Sequence, residues 1–166
     1  MTLRRAQPAD LDPILAIASA SPEAPQWPPA AYGSYLTSDP ASPNLLRNAI
    51  VAVLRDHIEA FAAATLLLDG AQNLCQLDSM AVHPQARRQG LATALLRALL
   101  EWAAFNHAHH FSLEVRASNA PAIRLYQRFG LRPEGLRPRY YAHPEEDALI
   151  LGMPVTLVLP DSSFPP

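Results

Sequence analysis

The stretch "MAVHPQARRQGLATALL", residues 80–96, decides the architecture. It runs from alternating strand-like residues through two adjacent arginines and a glycine into an apolar segment of helical period. A glycine placed there starts a helix whose first N–H groups have no partner within the helix, and the helix dipole adds partial positive charge at the same end. With Arg87 and Arg88 just upstream, this is the local chemistry of a phosphate site. The arginines do not belong to a general basic surface. All 13 basic residues are arginine, against 15 acidic residues, for a net charge of −2. With a pI near 6.3, that balance gives no sequence-wide footprint for nucleic acid or anionic lipid, so an anion site must be local.

Working outward, the helix that follows is predicted over 88–105. Leu91, Ala94, Leu95, Ala98, Leu99 and Trp102 fall on its apolar side and only Thr93, Arg97 and Glu101 form a polar stripe, so it packs against a sheet. Upstream, "AIVAVLRD", "IEAFAAATLLLD" and "QNLCQLDSMAVH" read as a three-stranded antiparallel meander. Strand-like "TLRRA" enters "DLDPILAIASA", where Asp10 is expected to cap a first helix. Downstream, "FSLEVRAS" alternates Phe111, Leu113 and Val115 against Ser112, Glu114 and Arg116, the period of a strand. Then comes "NAPAIRLYQRFG", with Asn119 as cap, Pro121 in the first turn and Gly130 as stop.

At 166 residues the chain fits one domain, here taken as 1–160 with a frayed tail over 161–166. The expected class is α/β (α+β), with a central mixed sheet and helices on both faces. Cys75, alone of its kind, is expected as a buried structural thiol. The longest apolar runs are too short to span a bilayer, and the chain is read as soluble and cytoplasmic. "HAHH" (107–110) is read as a helix end favourable to imidazolium and not as a zinc site, because no neighbouring ligands complete a tetrahedral set. No metal is expected. Residues 22–43 hold six prolines with Trp27, Tyr32 and Tyr35, and two readings stand: aromatics tucked beneath a surface loop, or a loop that faces a substrate.

These segments together resemble the GNAT superfamily of N-acetyltransferases. Arg87, Gly90 and Ala92 fill the family's pyrophosphate signature of Gln or Arg, two residues, Gly, one residue, Gly or Ala. "LEVRASNAPAIRLYQRFGL" and "RPRYYAHPEEDALIL" are similar to segments of RimI-type enzymes, bacterial acetyltransferases of ribosomal-protein N-termini, and "APQWPPAAY" is a weaker echo of the family's tryptophan loop. The resemblance covers nearly all of residues 3 to 154. It implies a mostly antiparallel sheet with splayed middle strands and acetyl-CoA as co-substrate. It also implies that Met80, Ala81 and Val82 pair with the pantetheine arm, and that Arg87, Arg88, Gln89, Gly90, Leu91, Ala92 and Thr93 hold the diphosphate. Asn119 matches a CoA-contacting position, Glu114 the general base and Tyr126 the general acid. Trp27, Tyr140 and Tyr141 match the acceptor side.

The implied reaction is direct acetyl transfer, in a ternary complex, to a primary amine. The N-terminal α-amine of a protein leads, with a ribosomal protein among the acceptors the resemblance suggests. The protein is then a monomer or weak dimer that contacts neither nucleic acid nor membrane. A small-molecule amine, a lysine side chain and a non-catalytic acetyl-CoA-binding module stand as alternatives. Residue by residue, other readings remain beside these: Glu114 as a strand carboxylate paired with Arg116, Tyr126 as core, and Tyr140 and Tyr141 as aromatics split between core and surface. His83 departs from the acidic residue common at its position, and Ala92 replaces the commoner second glycine.

Overall fold

The computed structural model describes residues 1–37 and 40–155; the tail assigned to 161–166 and the domain's expected last residues, 156–160, lie outside them. Among the described residues seven strands form one sheet in the order β1-β2-β3-β4-β5-β7-β6. They are β1 (Thr2–Arg5), β2 (Leu45–Leu54), β3 (His57–Leu67), β4 (Leu74–Val82), β5 (His110–Arg116), β6 (Arg132–Ala142) and β7 (Glu145–Pro154). The helices are α1 (Leu11–Ser19), α2 (Pro29–Gly33), α3 (Leu91–Phe105) and α4 (Ala120–Arg128). β2, β3 and β4 are the antiparallel meander the sequence predicts, and β1 adds to it antiparallel. β4 and β5 are the one parallel pair in the sheet order, as expected where a helix crosses over between two strands.

Two cores sandwich the sheet. On one face α3 and α4 bury Leu91, Leu95, Leu99, Leu125 and Tyr126 against Phe111, Leu113 and Val115 of β5. On the other, α1 and α2 bury Ile14, Ile17 and Tyr32 against Val51, Phe61 and Ala81. The strict alternation of β5 therefore fixes its geometry, with apolar residues toward α3 and α4 and Ser112, Glu114 and Arg116 toward the opposite side.

Several local expectations change. Helix α3 starts at Leu91 instead of 88, because Arg88 (φ 65°) and Gly90 (φ 82°) both take left-handed backbone. Asp10 does not cap α1 with its side chain. Its carboxylate instead receives Arg4 Nη1 at 2.6 Å, Arg4 Nη2 at 2.8 Å and the Gln7 N–H at 2.7 Å, tying the end of β1 to the helix start. Asn119 does cap α4, accepting the Ala122 N–H at 3.2 Å, and Gly130 (φ 97°) ends it. Cys75 is fully buried, which pushes its thiol up to about 12. Beyond the end of α3, His109 Nδ1 accepts the Asn73 N–H at 3.0 Å and His110 Nε2 lies 3.0 Å from Glu134.

Candidate active site

The parallel ladder between β4 and β5 is short. Leu77↔Leu113 is its last rung, and Asp78–Val82 and Glu114–Arg116 continue without pairing to each other. The two strands thus part in the middle of the sheet. A β-bulge between Ala63 and Ala64 of β3 falls opposite Asp78, since Ala63 faces Ser79 and Ala64 faces Leu77. A bulge adds twist and re-aims a side chain, here at the point of separation. A cleft of about 890 Å³ opens there.

One end of the cleft is the start of α3. Arg87, Arg88, Gly90, Leu91, Ala92 and Thr93 line it, while Gln89 is exposed outside the wall. A Cβ on Gly90 would meet nothing within 4 Å, so glycine is favoured there by its positive φ of 82° and not by crowding. The same open space leaves the backbone accessible to a diphosphate. Arg87 is partly committed within the protein, with Nε donating to the Val82 carbonyl at 3.3 Å and Nη2 to Glu23 at 3.3 Å. Arg88 is exposed. Met80, Ala81 and Val82 form the β4 wall; their other edge remains bound to β3 through Ala62, Phe61 and Ala60.

Glu114 and Tyr126 both reach this cleft, from opposite sides of the sheet. Tyr126 sits in the α3/α4 core, 7% exposed, and burial pushes its phenol upward, which keeps the proton on oxygen across the neutral range. Glu114 faces the other way. Its partner is not Arg116 but Arg137, with Nε 2.8 Å from Oε1. Arg116 instead meets Glu146 at 3.3 Å and lies over the Tyr141 ring at 4.1 Å, which fastens the β6–β7 hairpin to β5.

The acceptor-side aromatics divide. Tyr141 lines the cleft, half-buried, and its phenol is pushed up to about 12 mainly by burial. Tyr140 is 48% exposed outside the wall; a hydrogen bond with Glu114 raises its phenol, with burial adding to it. Trp27 stacks on Tyr35 (5.9 Å, 10°) and tilts against Tyr32 (5.1 Å). Tyr32 is buried and donates to the Pro25 carbonyl. Tyr35 donates to Asp78 Oδ2 at 3.0 Å, so the proline-rich loop is tucked and also touches the cleft.

Asp78 and Arg137 carry no signal in the sequence. Asp78 lies inside an ordinary strand pattern and lines the cleft from the face on which Tyr35 meets it. There burial pushes its carboxyl up, opposed by hydrogen bonds from Thr65 and Tyr35. Arg137 reaches Glu114 across β7. Arg124 and Arg128, four apart on α4, also line the cleft, and their spacing is a signal that sequence reading can find. Among the described residues no group of three or more His, Cys, Asp or Glu is placed to hold a metal ion.

Residues 13–131 match the profile described as the acetyltransferase (GNAT) family. The curated ribosomal protein bS18-alanine N-acetyltransferase of Salmonella typhimurium is 38% identical over 104 residues, 61% of this chain and 68% of that protein. The one of Escherichia coli is 39% identical over 100 residues, 59% of this chain and 65% of that protein. Across these and a Bacillus subtilis relative the matched segment spans 60% to 68% of the relative's length. In three dimensions, the crystal structure of the ribosomal-protein-S18-alanine N-acetyltransferase from Escherichia coli superposes with a TM-score of 0.72 at 27% identity. That superposition covers 98% of this chain and 99% of the other.

Proposed function

The chain belongs to the acetyltransferase (GNAT) family, and from that premise we propose that it transfers the acetyl group of acetyl-CoA to the N-terminal α-amine of a protein, a ribosomal protein being the leading class of acceptor. The observation that carries the reading is the parting of β4 and β5 beyond Leu77 and Leu113. The resulting cleft is lined both by the start of α3 and by Glu114. The relatives named for alanine N-acetylation of ribosomal protein bS18 support the acceptor class.

Acetyl-CoA supplies an activated thioester, and the residues present fit it. The left-handed turn at Arg88 and Gly90 leaves the first N–H groups of α3 open to a diphosphate, with Arg88 and Thr93 beside them. Met80, Ala81 and Val82 offer the strand edge released from β5 to the pantetheine arm. Asn119 holds the α4 end of the wall while its side chain caps the helix.

Glu114 is the group that takes the proton from the acceptor amine, directly or through water. Tyr126, kept protonated by burial, gives one to the departing thiolate. Their placement on opposite sides of the sheet separates the two proton transfers, so that neither group neutralises the other. The acid–base demand is modest for an α-amine. With a pKa of about 7.8 it is roughly 15% neutral at pH 7, whereas a lysine at about 10.4 costs about 3.5 kcal/mol more to deprotonate.

The proposal includes a cytoplasmic enzyme working as a monomer or weak dimer, without nucleic acid or membrane. Among the described residues no helix is long and apolar enough to cross a bilayer. The test mixes the protein with acetyl-CoA and peptides that begin with alanine or serine, and follows CoA release. The expected outcome is turnover on free N-termini and none on the same peptides with a blocked N-terminus. Equal turnover on blocked, lysine-containing peptides would move the acceptor to a side chain.

A further inference from the structure

Glu114 is the buried half of an unequal ion pair. Its side chain is 14% exposed, whereas that of Arg137 is 56% exposed. Arg137 rises from the irregular part of β6, where the register with β7 breaks between Arg137 and Tyr141 and Arg139 takes φ 49°. The Arg139 N–H donates to Asp147 Oδ1 at 2.8 Å, which holds the distortion. In that position the Arg137 guanidinium lies 5.4 Å from the Tyr140 ring centre and against Glu114. Beyond the last rung of the ladder, Asp78 is the other carboxylate at the parting of the strands. It is held by the neutral hydroxyls of Tyr35 and Thr65, and Arg47 acts on it only through space, from over the Tyr35 ring.

We propose that Arg137 is a displaceable place-holder, whose guanidinium occupies Glu114 in the free enzyme and gives up that carboxylate to the protonated α-amine of the acceptor. The inference rests on the reading of Glu114 as the group that receives the acceptor's proton. An α-amine is mostly ammonium at pH 7. Its arrival therefore exchanges one cation for another and leaves the charge at the parting of the strands unchanged. Arg137 returns to water readily because more than half of its side chain already faces it. The proton then moves from the ammonium nitrogen to the Glu114 carboxylate, leaving a neutral amine and a carboxylic acid. The protonated Glu114 no longer attracts Arg137, so the pair re-forms only after the proton has left.

The test is steady-state kinetics of Arg137→Ala in the full chain at saturating acetyl-CoA, with an alanine-starting peptide varied. Removing the competitor lowers the acceptor KM by about threefold to fivefold, the range set by a partly exposed ion pair, with kcat within about twofold of the parent. Low-millimolar guanidinium ion then raises the KM of the variant, competitively with the peptide, and has no such effect on the parent. Arg137→Lys keeps the acceptor KM near the parental value, because an ammonium also pairs with Glu114. An acceptor KM that rises in Arg137→Ala, or a kcat that falls at unchanged KM, overturns the proposal, since Arg137 then binds the acceptor or orients Glu114. Failure of the underlying reading appears separately, as parental turnover in Glu114→Gln.

Discussion

Leu77 and Leu113 are the last residues joined in the β4–β5 ladder, and Asp78 and Glu114 are the first beyond it. Below that rung the sheet is continuous, with Phe111 and Leu113 fully buried. Above it two strands of one sheet present free edges to a common cleft. Under the proposed function the rung sets where the chemistry sits, because Glu114 is the first residue of β5 beyond it.

Glu114→Gln is expected to lower turnover at neutral pH by about 10²–10⁴-fold, the usual contribution of a general base. The amide keeps the shape of the side chain but accepts no proton. Acetyl-CoA affinity, measured by calorimetry, stays near the parental value because the diphosphate end of the cleft is untouched. Parental turnover would make Glu114 a structural partner of Arg137.

Tyr126→Phe separates catalysis from packing. The ring stays in the core with Leu125 and Leu131, so the melting temperature moves little. Turnover falls because the departing thiolate loses its proton donor, and the loss grows at high pH, where water supplies protons less readily. A variant that melts well below the parent and keeps its turnover per folded molecule would return Tyr126 to the core.

Arg88→Glu is expected to weaken acetyl-CoA binding by about tenfold or more with the fold intact. Arg88 is exposed, so its loss costs no packing. Charge-assisted contacts to phosphate are worth about 1.5–3 kcal/mol, and reversal adds repulsion. Unchanged calorimetric affinity would remove Arg88 from the diphosphate site.

Asp10→Asn tests the tie between β1 and α1. Hydrogen bonding from Arg4 holds the buried Asp10 carboxyl below the usual carboxylate range. A depressed carboxyl contributes stability that is fully present above its unfolded-state value, near pH 4, and is lost as pH falls through the folded value. The variant should be less stable by about 1–3 kcal/mol at pH 7, and the difference should shrink as pH falls below about 4. Urea melts across that window decide it; a difference that persists undiminished at pH 2 would assign the loss to packing.

What the sequence determined by itself was the strand period of β5, the bounds of α4 and the place of the turn before α3, all set by residues near one another along the chain. The alternation of 111–116 set which side of β5 is buried and so which side Glu114 faces. Asn119, Pro121 and Gly130 bounded α4, and Arg87 through Ala92 marked the turn into α3. Tertiary structure alone decided the partners of the charges. Glu114 and Arg116 share a strand face, which makes a local pair plausible. Each instead meets a residue of the β6–β7 hairpin, Arg137 and Glu146, that β7 pairing brings beside β5. Asp10 likewise prefers Arg4 to the helix it precedes. The bulge against β3 reverses the alternation of β4, so that Cys75 and Leu77 join one core and Ala81 the other. Periodicity and capping are written in backbone geometry, which repeats over a few residues. Charge pairing and register depend on which distant strand lies alongside, and no local pattern encodes that.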